Sequence, residues 1–153
     1  MPAANRTTIA AAWADLFAKA EQLVGSTGNG SSLKVQKIAE GETGAGAHQK
    51  PYILFQLLTA RVVSVQDGDD VWECEIRIRI VTWTTQPDGA THEALAKLGL
   101  VENFLAAYPR PPGVEGFGDP KWAISYPTDP TSGRTIQLDG MRTFTVAVAR
   151  GSN

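Results

Sequence analysis

His48 and His92 are the only side chains in this sequence whose unperturbed titration falls near neutral pH. Proton transfer or metal ligation is the chemistry to test for first. His48 has no carboxylate nearby in sequence except Glu42. His92 sits beside Glu93 in the first turn of a predicted helix, where adjacent positions point in different directions. Both read as solvated side chains rather than ligands or acid–base groups. Cys74 is the single cysteine, so no internal disulfide can form. It falls on the apolar side of a predicted strand, where burial keeps a thiol protonated and unreactive. Asp67, Asp69 and Asp70 have a spacing that suggests calcium. However, an EF-hand loop opening at Asp67 would need a glutamate where Ile78 stands, and helices where the pattern gives strands. The glycines at 28 and 30 and at 44 and 46 lead toward strands, whereas phosphate cradles lead into helix N-termini. No serine or threonine has a histidine or lysine at nucleophile spacing. The residues therefore give no catalytic site, no metal site and no cofactor, and the chain reads as a non-enzyme.

The strongest pattern lies in residues 71–85, VWECEIRIRIVTWTT. Trp72, Cys74, Ile76, Ile78 and Ile80 occupy one face of a period-two strand. Glu73, Glu75, Arg77 and Arg79 occupy the other, which continues as Val81 and Trp83. Two readings of the charged face stand side by side: the solvated side of a sheet, or a contact surface. Val81 and Trp83 favour contact, because large apolar groups on that face need cover. The arginines on predicted strands favour it too, since arginine and tryptophan are enriched at protein interfaces.

Other elements must hold this strand in place. Ile9, Trp13, Leu16, Phe17, Ala20, Leu23 and Val24 recur at helical spacing, with Thr7 or Thr8 as N-cap and Gly25 as terminator. A short strand is expected at 33–38. Residues 39–50 lack periodicity and read as a mobile loop. A strand at 52–65 is apolar on both faces in its first half and turns through Asp67-Gly68-Asp69-Asp70 into the charged strand. Such a hairpin is ~45 Å long at ~3.3 Å per residue, against a domain diameter of ~40 Å. It must cross the whole domain or project from it. A second helix at 91–108 presents Leu95, Leu98, Val101, Leu105 and Tyr108 on one stripe, and Pro109 ends it. Residues 109–120 are too rich in proline and glycine for regular structure and read as a second mobile loop. Strands at 121–126, 134–138 and 141–150 finish the chain, with Ser132-Gly133 and Asp139-Gly140 as turns and Phe144, Val146 and Val148 inward. The expectation is a single α+β domain over 1–153: a mainly antiparallel sheet with a long hairpin and two helices packed on it.

Bulk composition agrees with a globular chain: 42% hydrophobic, 20% charged and a formal charge of −2. That balance gives no general attraction to nucleic acid or anionic lipid. The first residues carry no apolar run of signal-peptide or membrane-span length, so no membrane partner is expected.

The order of these elements resembles the tail terminator, or tail-completion, and minor tail proteins of long-tailed bacteriophages, across about residues 7–150. The points of likeness are KPYILFQ at residues 50–56, the strand ending Ile80-Val81-Thr82-Trp83, the helix after it, and the final strand behind Asp139-Gly140-Met141. The resemblance implies a non-catalytic structural virion protein, assembled in the host cytoplasm and placed in the tail or neck. It implies a homo-oligomeric, hexameric ring that caps the tail tube and joins it to the head connector or stopper. Genomic DNA would pass through the lumen without sequence recognition. Glu73, Glu75, Arg77, Arg79, Val81 and Trp83 would then meet a neighbouring subunit. The loop at 39–50, with His48 and Lys50, and the segment at 109–120, with Arg110, would order against tube or connector. Other head–tail joining or tail-tube proteins are the nearest alternative, and a small-molecule-binding α+β domain is a more distant one.

Overall fold

A computed structural model describes residues 8–29, 31, 33–41, 50–84, 90–118, 121–126 and 134–149. Helix α1 spans Ile9–Ala20 and starts at Thr8, whose side chain accepts from the Ala11 amide at 3.1 Å. That bond satisfies one of the orphan donors of the first turn. A 3₁₀ turn, Glu21–Leu23, follows α1. Five strands form the sheet: β1 (Lys37–Glu40), β2 (Tyr52–Gln66), β3 (Asp69–Thr84), β4 (Lys121–Ser125) and β5 (Arg134–Ala149). Their order is β1-β2-β3-β5-β4, and helix α2 (Ala90–Ala107) lies between β3 and β4 in the chain. This is an α+β fold with a mixed sheet. β1 runs parallel to β2, and every other pairing is antiparallel.

The β2–β3 hairpin closes through Asp67 and Gly68, both at positive φ (46° and 83°). Left-handed conformation at both central residues matches the twist of the flanking strands and suits Asp-Gly. Alternation in β3 then divides the sheet. Cys74, Ile76, Ile78 and Ile80 are fully buried, in one cluster with Ile53 and Phe55 of β2 and Ile136, Leu138, Phe144, Val146 and Val148 of β5. Ala12, Leu16 and Ala20 from α1 and Ala94, Val101 and Leu105 from α2 belong to the same cluster, so both helices cover one face. Phe144, Val146 and Val148 point inward, as their spacing predicts.

Four local expectations need correction. The early strand lies at Lys37–Glu40 rather than 33–38, so Ala39 and Glu40 are strand rather than loop, and Ala39 is buried. Asp139-Gly140 is not a turn: β5 runs unbroken through it, and Gly140 pairs with Ile78 on one side and Trp122 on the other. Leu95 is 53% exposed, and Lys97 is fully buried in its place. The Lys97 ammonium donates to the Ser31 hydroxyl at 2.8 Å and to the Thr27 carbonyl, with Glu93 at 3.8 Å. Burial lowers the lysine's pKa, and the Glu93 charge partly offsets this. A loop that supplies oxygens to Lys97 has rotated the helix stripe away from Leu95. Gly28 of that loop is required by close approach, since a Cβ there would lie 2.5 Å from the Ala96 carbonyl oxygen. Finally, Val24, expected to continue the α1 stripe, is 48% exposed.

Residues 109–118 are irregular, as composition predicts, yet they are tied down along β5. Glu115 N–H donates to the Thr145 carbonyl at 2.9 Å, Gly118 N–H to that of Thr143 at 2.8 Å, and Ala147 N–H to that of Gly113 at 2.9 Å. Ser132-Gly133, expected as a turn, lies outside the described residues.

Candidate interaction surface

The face of the sheet away from the helices carries the charged residues singled out from sequence. Strand alternation places Glu73, Glu75, Arg77, Arg79, Val81 and Trp83 of β3 together on it. Register brings Arg61 of β2 opposite Glu73, Gln56 opposite Arg77, and Asp139 of β5 opposite Arg79. Each of these cross-strand positions is occupied by a bond. Arg61 Nη2 lies 3.0 Å from Glu73 Oε1, Arg77 Nη1 donates to Gln56 Oε1 at 3.5 Å, and Arg79 Nε donates to Asp139 Oδ1 at 2.7 Å. Gln137 donates to the second Asp139 oxygen at 2.9 Å. Glu73 and Arg79 are therefore already paired inside their own chain. Glu75 and Arg77 make no ion pair among the described residues. Arg61 is 73% exposed, so its pair with Glu73 is a weak, salt-screened one.

The apolar end of this face has its own small core. Val81 is 1% exposed and packs with Ala39, Tyr52 and Leu54, so cover for Val81 comes from within the chain and not from α2, which lies on the other side. Trp83 is half-buried. Burial raises the Tyr52 pKa, with Arg79 opposing and Asp139 reinforcing the shift. The remaining candidates do not join this cluster. Lys50 is half-buried just before β2, Arg110 is exposed after α2 with its guanidinium beside Gly116, and His48 lies outside the described residues. Sequence reasoning counted Arg61 among the strand arginines that favour contact without placing it on this face, and it missed Gln56, Gln137 and Asp139. Asp139 would have been legible only if β5 had been read as continuous.

Cys74 is fully buried, and burial together with the neighbouring Glu73 charge pushes its thiol up to about 11. Among the described residues no group of three or more histidine, cysteine, aspartate or glutamate side chains is placed to hold a metal ion. No described helix is long and apolar enough to cross a membrane.

Two depressions are present, the first on the charged side of the sheet beside Glu73, whose register partner Thr145 lines it, and the second along α2. A cleft of about 380 Å³ near the hairpin tip is lined by Asp67, Asp69, Val71, Gly113, Glu115, Thr145 and Ala147. A groove of about 230 Å³ follows α2 from His92 to Asn103, with Gly28 and Asn29 on its other wall.

The open side of the hairpin is the other notable surface. β1 pairs with β2 only over Tyr52–Phe55, and Gly41 N–H reaches the Phe55 carbonyl at 2.9 Å. Beyond that point, among the described residues, β2 has a partner on one side only. Val62, Val63 and Val65 are 44%, 45% and 61% exposed there. No protein-family model matches this sequence, and no curated protein matches it.

Proposed function

We propose that this chain is a structural virion protein: a tail terminator, or a closely related neck protein, of a long-tailed bacteriophage. In this reading, copies form a homo-oligomeric, hexameric ring that caps the tail tube and joins it to the head connector, while DNA passes through the lumen unread. One observation carries the assembly part of the proposal. A ribbon of 15 and 16 residues keeps a partner on both sides of β3, while the outer half of β2, which is valine-rich, has no second partner among the described residues. Exposed apolar strand edges are costly in a lone soluble protein and are normally blunted or covered. The mixed-charge face of β3 supports the same reading, since arginine-rich surfaces give register and specificity between subunits. The specific assignment to the tail rests on the likeness in KPYILFQ at 50–56, the strand end Ile80–Trp83 and the helix after it; the point at Asp139-Gly140 drops out, because β5 runs through it.

Mass in solution, measured over a wide concentration range with and without tail-tube protein, tests the proposal. Ring-sized particles, or capping of tube ends, are the expected result. A monomer at every concentration that also ignores the tube would end the proposal. The cleft near the hairpin tip favours the second reading, a small-molecule-binding domain. That reading predicts a monomer throughout.

A further inference from the structure

The two outer edges of the sheet are suited to each other. On one side, residues 56–66 of β2 present backbone N–H and C=O groups that no described residue pairs. This stretch lacks the proline and lysine with which edge strands are usually protected. Its protection is confined to two register irregularities, at Leu57/Thr59 and Val62/Ser64, which bend the strand and limit any partner to a short stretch. Beside it, the Ser64 hydroxyl and the Trp72 indole N–H are shielded from solvent without a hydrogen-bond partner. On the other side, β4 has five residues, and no described residue pairs with its outer edge. Ile124 and Tyr126 there are 42% and 58% exposed.

Direction, face and charge agree. β2, β3, β5 and β4 alternate in direction, so β4 of one copy and β2 of an equally oriented second copy lie antiparallel. Trp122 and Ile124 lie opposite Gly140 and Leu138 on the helix side of the sheet. Val62 and Val65 lie opposite Trp72 and Asp70 on that same side. A register that sets Ile124 against Val62 and Val65 brings the exposed Lys121 to the turn at Asp67 of the second copy. We infer that the free edge of β2 pairs with β4 of a second copy of this chain, continuing the sheet from subunit to subunit. This contact is heterologous, using two different patches, and such contacts generate rings when the rotation closes. Ile124 stands level with Ile53 through Leu138 and Ile80. The neighbour is therefore displaced along the strands by roughly nine residues, ~30 Å at ~3.3 Å per residue. Over four strands at ~4.8 Å spacing, closure then needs strands tilted by roughly 55–60° from the ring axis, steeper than the ~35–45° of common barrels.

The inference rests on the self-assembly reading above, and the experiment separates the two. Val62→Cys and Val65→Cys proteins are each mixed with Ile124→Cys protein and oxidised, leaving the buried Cys74 in place. Disulfide-linked dimers are expected in the mixtures and not from any single variant. Val65→Lys, at a position 61% exposed in the free chain, is expected to leave the melting temperature unchanged and to raise the concentration needed for assembly at least tenfold. Oligomers that form without mixed cross-links, or that tolerate Val65→Lys, overturn the edge pairing and leave self-assembly intact. Cross-linking of Val62→Cys or Val65→Cys alone also overturns it, in favour of β2 meeting β2. A monomer under all conditions overturns both.

Discussion

Replacing Gly140 with alanine tests the packing of the β4–β5 edge. Gly140 lies on the helix side of β5, between Ile78 and Trp122. A Cβ there would sit 2.7 Å from Trp122 Cζ3 and 2.8 Å from Cδ2 and Cε3, well inside contact distance. The ring is not free to slide away. Its Nε1 donates to Glu102 at 3.2 Å, and the same carboxylate pairs with the buried Arg142. Overpacking of this kind costs about 1–3 kcal/mol. Restricting the unfolded chain returns about 0.4–1 kcal/mol. The net loss is then centred near about 1.3 kcal/mol, or about 3–5 °C in melting temperature at ~2–4 °C per kcal/mol for a chain of this size. Urea unfolding and thermal melts of Gly140→Ala, Trp122→Ala and the double variant give the full cycle. With the ring removed, Gly140→Ala is expected to be neutral or slightly stabilising. An equal loss in both backgrounds would refute the ring-contact argument and place the cost in the backbone.

Three further outcomes follow from the described contacts. Glu102→Ala leaves the Arg142 guanidinium, whose residue is 8% exposed, with the Gly118 carbonyl but no carboxylate, and costs about 3–5 kcal/mol in denaturant unfolding. Arg142→Met removes the charge as well and costs clearly less, so equal losses would contradict the pairing. Tyr108 donates to Asp15, and this bond is the main reason the Asp15 pKa lies below its ordinary 3.8. A depressed carboxylate contributes stability above its unfolded pKa and loses it as pH falls through the folded value. Tyr108→Phe therefore costs about 1 kcal/mol near neutral pH, and the gap to wild type narrows as pH drops below about 4. A pH-independent gap counts against the linkage. Arg77→Glu changes a side chain without an ion pair among the described residues, so its stability stays within ~1 kcal/mol of wild type. If the charged face is a subunit contact, assembly weakens in this variant, and unimpaired assembly removes that face from the interface. Arg79→Glu is a poorer probe, because it places a second carboxylate beside Asp139.

Local signals located most of the elements. The cap at Thr7 or Thr8, the turn within Asp67–Asp70 and the alternation of β3 are decided by neighbours in sequence and were legible, although Asp69 and Asp70 belong to β3 and the turn is Asp67-Gly68 alone. Long-range contacts decided what was misread. The Asp-Gly pair at 139–140 has the composition of a turn. Arg79 and Gln137 nevertheless bind Asp139, and Trp122 lies over Gly140, so the position is held in strand. Leu95 has the type of a core residue, but Lys97 takes the inner position because a distant loop supplies its oxygens. β1 pairs in parallel across a connection, and no local pattern marks such a register. Of the candidate surface, the charged residues of β3 were readable from period two alone. The edge of β2 beyond Phe55, without a second partner among the described residues, was not, because it depends on where β1 ends.

The pairing of β3 has a consequence for synthesis. Its first neighbour, β2, precedes it by a two-residue turn, and hairpins of this kind close in roughly 1–10 μs. Its second neighbour, β5, begins at Arg134, some fifty residues after β3 ends at Thr84. At roughly 5–20 residues per second, the growing chain waits on the order of seconds with Cys74, Ile76, Ile78 and Ile80 backed by an incomplete sheet. Products truncated before residue 134 therefore keep both flanks of the hairpin sticky, and they are expected to collect in the insoluble fraction while the full-length translation product does not.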